Sequence, residues 1–226
     1  MLTLEDIFPP FGLLIASGHV ELRVLRDDDL PELVDLVRGG IQAPDQPMPF
    51  LQDWHHQPFA PGSPDGFPTT SLAWWWTQRA QFAADDWRLA LTVRRDGELV
   101  GVQDLHARDF AQTQHVATGS WLGLAHQGRG KGTLMRQLVV GFAFDELGAL
   151  ECSSGYIVGN HASAAVSRKT GYVEDGRRRI VQHTTTGKVG VDEQRVLVTP
   201  STYVQPDGEV AVSGADALRR FFAIER

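Results

Sequence analysis

The chain has 226 residues, enough for one generous domain with a sizeable core. Its 42% hydrophobic and 22% charged residues are those of an ordinary globule rather than a disordered or membrane-embedded chain. A formal charge of −7, with no run of lysines or arginines, excludes broad binding to a nucleic-acid backbone and leans toward a cationic acceptor such as a protonated amine.

The first residues, MLTLEDIFPPFGLLIAS, are apolar but hold two acids and two prolines and lack a basic leader, so they do not read as a signal peptide. No apolar run reaches membrane-spanning length, and no membrane partner is expected. Cys152 is the only cysteine, which rules out an internal disulfide and suits a reducing cytoplasm. It falls in a buried strand pattern and reads as a small core residue.

His19 to Leu25 alternates as a strand. Asp27 to Asp29 with Pro31 open a helix whose inner face is Leu33, Val34 and Val37, and Gly39-Gly40 closes it. From Ile41 to Thr70 the sequence is irregular and rich in proline, aromatics and histidine. A segment of that length inside a compact domain is a lid or a binding wall, and its aromatics argue against disorder. A helix follows from Thr70 or Ser71, carrying Trp74, Trp75 and Trp76. Successive residues turn by about 100°, so two tryptophans are expected inward and one toward an acceptor cleft. The whole of 41–76 is therefore expected to line the acceptor side.

Strands Arg88 to Val93 and Glu98 to Ala107 flank the Asp96-Gly97 hairpin signal. Alternation puts Asp104 and His106 on one face and Gln103 on the other. The strand Thr118 to Ala125 then feeds HQGRGKGTL, and a helix runs through Leu134, Leu138, Val139, Phe142 and Leu147 to Gly148. A strand Glu151 to Val158, a helix Ala162 to Lys169 and paired strands Tyr172 to Gln182 and Val191 to Thr199 come next. The tail, 201–226, is expected as a hairpin or helix extension, with SGADALRRFFAI helical from near Ser213. The domain expected is single, 1–226.

The glycine stretch poses the chemical question. It is not a nucleotide P-loop, because Ala125 stands where the first glycine is required. Nor is it the dinucleotide fingerprint, because Thr133 stands at the third glycine. What remains is a strand, a glycine loop and a helix N-terminus, which gathers free N–H groups and about half a positive charge. Arg129 and Lys131 add full charges. An anion site and a plain tight turn both fit these residues.

Two motifs decide between them. QGRGKG (Gln127 to Gly132) resembles the Q/R-x-x-G-x-G/A signature of the GCN5-related N-acyltransferase (GNAT) superfamily. About thirty residues later, GNHASAAVSRKTGY resembles its second signature in RimJ/RimL form, with Asn160, Ser163, Val166, Lys169, Gly171 and Tyr172 in register. The resemblance runs from Glu21 to about Val198, and MPF, DGELVGVQ and GSWLGLAHQG resemble an actinobacterial branch that includes succinyl-transfer members.

The resemblance implies an α/β (α+β) GNAT fold: a central, mixed, mostly antiparallel twisted sheet whose strands splay at a coenzyme A cleft, flanked by helices. It implies acyl transfer from acetyl-CoA or succinyl-CoA to the primary amine of a peptide N-terminus or small molecule, by direct attack and without a metal. Backbone groups of Leu122, Gly123 and Leu124 would pair with pantetheine. Gln127, Gly128, Arg129, Gly130, Lys131, Gly132 and Thr133 would wrap the pyrophosphate, and Asn160, Ser163 and Ser167 would face the pantetheine arm. Many relatives carry a tyrosine seven residues after the asparagine; Ser167 stands there, which leaves the proton donor open, with Ser163 the favoured candidate. Candidates for the base are Asp104 and His106, then Asp109, His115, His55 and His56, or a water chain. A binding module that holds acyl-CoA without turnover is the other reading. Dimers are common among relatives, so a homodimer is compatible with the resemblance.

Overall fold

The computed structural model describes residues 1–44 and 46–224. In chain order its elements are α1 (Leu4–Ile7), β1 (Leu14–Ser17), β2 (Val20–Val24), α2 (Leu30–Arg38) and α3 (Phe67–Ala80). Then come β3 (Asp86–Arg95), β4 (Glu98–Arg108), α4 (Phe110–Thr113), β5 (His115–Leu122), α5 (Lys131–Asp145) and β6 (Glu151–Ile157). The last are α6 (His161–Thr170), β7 (Val173–Thr184), β8 (Gly187–Val198), β9 (Ala211–Ser213) and α7 (Ala215–Phe221).

Among the described residues the strands form a nine-stranded sheet in the order β7-β8-β6-β5-β4-β3-β2-β1-β9. Its neighbours are antiparallel except β5 and β6, which run parallel. That parallel pairing covers His115 with Glu151, Val116 with Cys152 and Ala117 with Ser153, and then stops. Beyond it β5 continues to Leu122 along β4, and β6 continues to Ile157 along β8. The two strands thus open into a V at the middle of the sheet.

Each face of the sheet carries its own core. On one, Leu89, Leu91, Leu105, Val116 and Cys152 pack under Met135, Leu138, Val139 and Phe142 of α5. On the other, Val102, Ala90 and Trp121 pack under Leu33, Val37, Phe67 and Trp75 of α2 and α3. Burial pushes the Cys152 thiol up to about 12, as befits an inert core residue. No helix among the described residues is long and apolar enough to cross a membrane.

Three expectations need correction. The α3 helix starts at Phe67, not at Thr70 or Ser71, because Gly66 serves as its N-cap and Pro68 fits the first turn, where no amide donor is needed. Thr70 instead bonds Gln57 Oε1 at 2.6 Å and the Phe67 carbonyl at 3.2 Å. One tryptophan, not two, points inward: Trp75 is buried, while Trp74 and Trp76 flank it at 42% and 52% exposure. With steps of about 100°, the two neighbours of an inward residue both swing outward. Finally, the strand before the glycine loop ends at Leu122 rather than Ala125, with a 3-10 turn over Leu124–His126.

Candidate active site

The glycine loop leaves β5 through Gly123, where an added Cβ would lie 2.4 Å from Leu36. Gln127 tethers it: the side-chain amide donates to the carbonyls of Ile41 and Leu122, both at 2.9 Å. Those bonds engage the amide group that the sequence suggested for a phosphate, so the residue's visible work is to hold the loop in shape. Gly128 and Gly130 adopt φ of +71° and +77°, backbone that side-chain-bearing residues rarely enter. Gly132 has a different reason: an added Cβ would meet Val166 of α6 at 3.2 Å. No side chain caps α5: the Thr133 amide turns back to the Gly130 carbonyl at 3.0 Å, which leaves the Lys131 and Gly132 amides as the open donors of its first turn.

Arg129 is exposed beside these amides. Lys131 is buried, Nζ lies 3.2 Å from His126 Nδ1, and burial holds its pKa below the usual lysine range. Loop and β3–β4 turn together border an open cleft of about 440 Å³ that includes Arg95, Asp96, Glu98, Arg129 and Lys131.

Across the V, Asn160 caps α6, its Oδ1 accepting from the Ser163 amide at 3.1 Å. Its NH2 group is left for another acceptor. Ser163 is half-buried, whereas Ser167 is 3% exposed and turned into the protein. Tyr172, at the end of the motif, sends its hydroxyl to within 2.8 Å of Thr118 Oγ1, beside the point where the strands part. Burial raises its pKa to about 12, so it stays a neutral phenol.

Sequence reasoning missed Arg136. This α5 residue is 3% exposed and reaches into the V from the α5 side. It donates to Ser120 Oγ on β5 at 2.7 Å, to Ser154 Oγ on β6 at 3.0 Å and to Gln103 Oε1 on β4 at 3.4 Å. Among the described residues no carboxylate pairs with it. The signal was there: Arg136 interrupts the buried row it shares with Val140, Ala143 and Leu147.

The opposite face carries the titratable groups. Strand pairing sets Asp104 opposite Gly119 and His106 opposite Ala117, so both face α2 and α3 next to the opening V, with Gln103 turned to α5. Asp104 keeps a quarter of its side-chain surface open, but its Oδ1 is sealed from solvent without a hydrogen-bond partner. Burial raises its pKa to about 6 against the pull of Arg88, 4.0 Å away, and of Arg136. His106 is driven down to about 4, first by burial and then by Arg88, and is neutral at pH 7. His115 Nε2 lies 2.8 Å from Ser153 Oγ on the same face.

Glu193 of β8 was also missed. Its carboxyl overlies Gly155, where an added Cβ would lie 2.9 Å from it, and it pairs with Arg178 at 2.5 Å. Three other sequence candidates stand apart from this group. Asp109 sits in the exposed turn after β4, and His55 and His56 cluster with Asp53 in the wall formed by the proline-rich segment.

That wall is stitched to β7. Gln182 donates to the carbonyls of Met48 and Phe50, both at 2.8 Å, and Gln52 bridges His183. On α3, Trp74 lies 6.0 Å from the Arg88 guanidinium, while the Trp76 indole N–H donates to Asp27 at 3.1 Å.

Residues 19–173 match the acetyltransferase (GNAT) domain family. The chain belongs to this family. Like its relatives, this protein is an N-acetyltransferase. It is 26% identical over 163 residues to YdaF of Bacillus subtilis (strain 168), whose name is that of a ribosomal N-acetyltransferase, across 72% of this chain and 82% of YdaF. Mycobacterium smegmatis RimJ, in complex with a coenzyme A disulfide, has the same fold with a TM-score of 0.64, at 19% identity over 92% of each chain. RimL, a ribosomal-protein α-N-acetyltransferase solved with coenzyme A, gives a TM-score of 0.61 at 18% identity, over 80% of this acetyltransferase and 96% of RimL.

Proposed function

We propose that this acetyltransferase moves the acetyl group of acetyl-CoA to the primary amine of a peptide N-terminus or a small molecule by direct attack on the thioester. The observation that carries the reading is Asp104: a carboxylate at the mouth of the V, one oxygen sealed and unpartnered, with a pKa raised to about 6. A base poised near neutrality is what the reaction needs, since the acceptor arrives as an ammonium.

The donor side supports it. Uncapped α5 amides, glycines at positive φ, Arg129 and Lys131 fit a diphosphate lying over 128–133. Pantetheine then enters the V, with Leu122, Gly123, Leu124 and the free amide hydrogens of Asn160 as its partners. An ammonium approaching from the α2–α3 face gives its proton to Asp104, directly or through water. The nitrogen forms the C–N bond and sheds its second proton as the C–S bond breaks, and the thiolate takes up that proton relayed through Ser163 or solvent, so that Ser163 ends as it began. His106, neutral and adjacent, is the alternative acceptor of the first proton. The step calls for neither a metal nor a covalent enzyme intermediate.

The charge of −7 and relatives named for ribosomal proteins and spermidine support a cationic amine. An α-amine, with a pKa of about 8, asks less of the base than a lysine at about 10.4. Arg136, the cation set in the V, gives three of its five N–H donors to Ser120, Ser154 and Gln103; it is the family and relatives named for acetyl transfer that favour an acetyl over a succinyl donor.

Thiol release from acetyl-CoA and succinyl-CoA, with a panel of α-amino peptides, polyamines and lysine derivatives, tests this. Turnover with acetyl-CoA and at least one amine is expected. Calorimetric binding of acetyl-CoA with no thiol released by any acceptor would favour the binding-module reading instead.

A further inference from the structure

We propose that Asp53, His55 and His56 form a site for one divalent transition-metal ion, zinc being the best match, that fastens the acceptor-side wall. A carboxylate oxygen of Asp53 and a ring nitrogen from each histidine lie within 4.8 Å of one another. Asp53 Oδ1 is 2.6 Å from His56 Nδ1 and 3.6 Å from His55 Nδ1. Tetrahedral zinc, with bonds of about 2.0–2.1 Å, holds its donors roughly 3.3 Å apart, so small side-chain adjustments suffice.

The decisive feature is the buried His55 ring, 3% exposed at its side chain. Its Nε2 lies 2.9 Å from Gln42 Oε1. The Gln42 amide cannot be turned around, because its Nε2 donates to the Gln46 carbonyl at 2.9 Å. A carbonyl oxygen only accepts, so His55 carries its proton on Nε2 and presents a bare lone pair at Nδ1. That Nδ1 is sealed from solvent with no hydrogen-bond partner. At 3.6 Å it confronts the Asp53 carboxylate, which 9% exposure nearly buries: acceptor against acceptor, too far apart for a shared proton.

A cation between them satisfies both. Gln42 then has the familiar outer-shell role, fixing the tautomer and orientation of a metal-binding imidazole. Two imidazoles and one carboxylate suit zinc and its neighbours, whereas calcium and magnesium prefer oxygen alone. His56, at 54% exposure, leaves an outer position for water.

The site lies where a fastener has leverage. Trp54, within the same turn, packs 5.7 Å from Trp121 of β5 and 5.9 Å from Phe67 of α3, while the Asp53 amide donates to the His183 carbonyl of β7 at 2.9 Å. One ion there links both flanks of the wall. Its role is structural, so it is compatible with metal-free acyl transfer and does not depend on the acceptor assigned above.

The full chain, stripped with chelator and confirmed folded by circular dichroism, is titrated with zinc chloride by calorimetry and with cobalt chloride by absorption. One equivalent of zinc is expected, with d–d bands of low-symmetry cobalt and a higher thermal midpoint. Asp53→Asn keeps the shape but removes the anionic ligand, and His56→Gln alters an exposed position; each should weaken binding by about tenfold or more. His19→Gln, in the surface His19–Asp96 pair, should change nothing. Absence of zinc binding to the folded chain overturns the proposal, and so does binding that survives both Asp53→Asn and His56→Gln.

Discussion

The two sides of the V are built from different materials. On the side we assign to the acetyl donor the groups on offer are backbone: uncapped amides of α5, and glycines at positive φ beside them. Even the two helices there divide the work locally, since α5 starts open and α6 is closed by its own Asn160. On the side we assign to the acceptor the groups are side chains from distant segments. Gln182 reaches carbonyls 134 and 132 residues away to hang the wall on β7, and Arg88 of β3 sits between Trp74 of α3 and Asp104 of β4. A backbone site can be specified by a few consecutive residues and serves a cofactor that never changes. A side-chain wall needs the whole fold, and it can be rebuilt for a new acceptor without touching the loop.

If that division holds, the sides respond differently to substitution. The largest effect belongs to Asp104→Asn. Loss of the base should lower kcat by about 10²-fold or more while acetyl-CoA affinity holds. In the parent enzyme kcat/KM should rise with pH through about 6, beneath the amine's own ionisation, and Asp104→Asn should lose that step. Stability moves the other way. An acid whose folded pKa lies above its ordinary 3.8 contributes stability that is full below that value and is lost as pH rises through about 6. Asp104→Asn is thus more stable than the parent at pH 7, by order of 1–3 kcal/mol, an advantage that shrinks as pH falls from 6 toward 3.8. Unfolding measured at both ends of that window checks the sign. Unchanged turnover would pass the role to His106 or to water.

Next comes Arg129→Glu. It reverses an exposed charge beside the α5 amides and disturbs no packing. The Kd for acetyl-CoA should rise about tenfold or more, roughly 1.4 kcal/mol, with less change at high salt and none in the thermal midpoint. Calorimetry at two ionic strengths decides it, and an unaltered Kd removes the loop from the site. This variant is a cleaner probe than Gly130→Val, since any side chain at φ of +77° strains the turn whether or not a phosphate is bound.

The same division explains what the sequence could disclose. The β3–β4 hairpin was legible because its turn needs positive φ at two adjacent residues, and Asp96 at +51° with Gly97 at +84° supply it. The glycine loop and the Asn160 cap were legible for the same reason: their physics is complete within a few residues. The start of α3 was misplaced because Thr70 and Ser71 look like caps, whereas a glycine wedged against the Ala60 carbonyl does that work. Strands β1 and β9 went unseen, being four and three residues long and paired only with each other and β2. Arg136 was visible as a charge in an apolar row. Its partners were not, since Gln103, Ser120 and Ser154 come from three strands that meet only once the sheet forms.

The smallest expected effect probes the wall directly. Gln182→Leu keeps a buried side chain of similar size but leaves the Met48 and Phe50 carbonyls without their donor. An unpaired buried acceptor costs about 1–3 kcal/mol, most of it borne locally by the segment that the bond held down. Amides from Met48 to Asp53 should therefore exchange faster with deuterium, while those of α5 keep their protection. Because the loosened wall must be ordered again on binding, the acceptor KM should rise by roughly two- to fivefold. The Kd for acetyl-CoA should not move, since the glycine loop is tethered separately, through Gln127 to Ile41 and Leu122. Ile41 is the place where this separation can fail, for it ends the α2 connection and begins the wall. If loosening at Met48 propagates back to Ile41, donor and acceptor constants shift together, and the two sides are one mechanical unit rather than two.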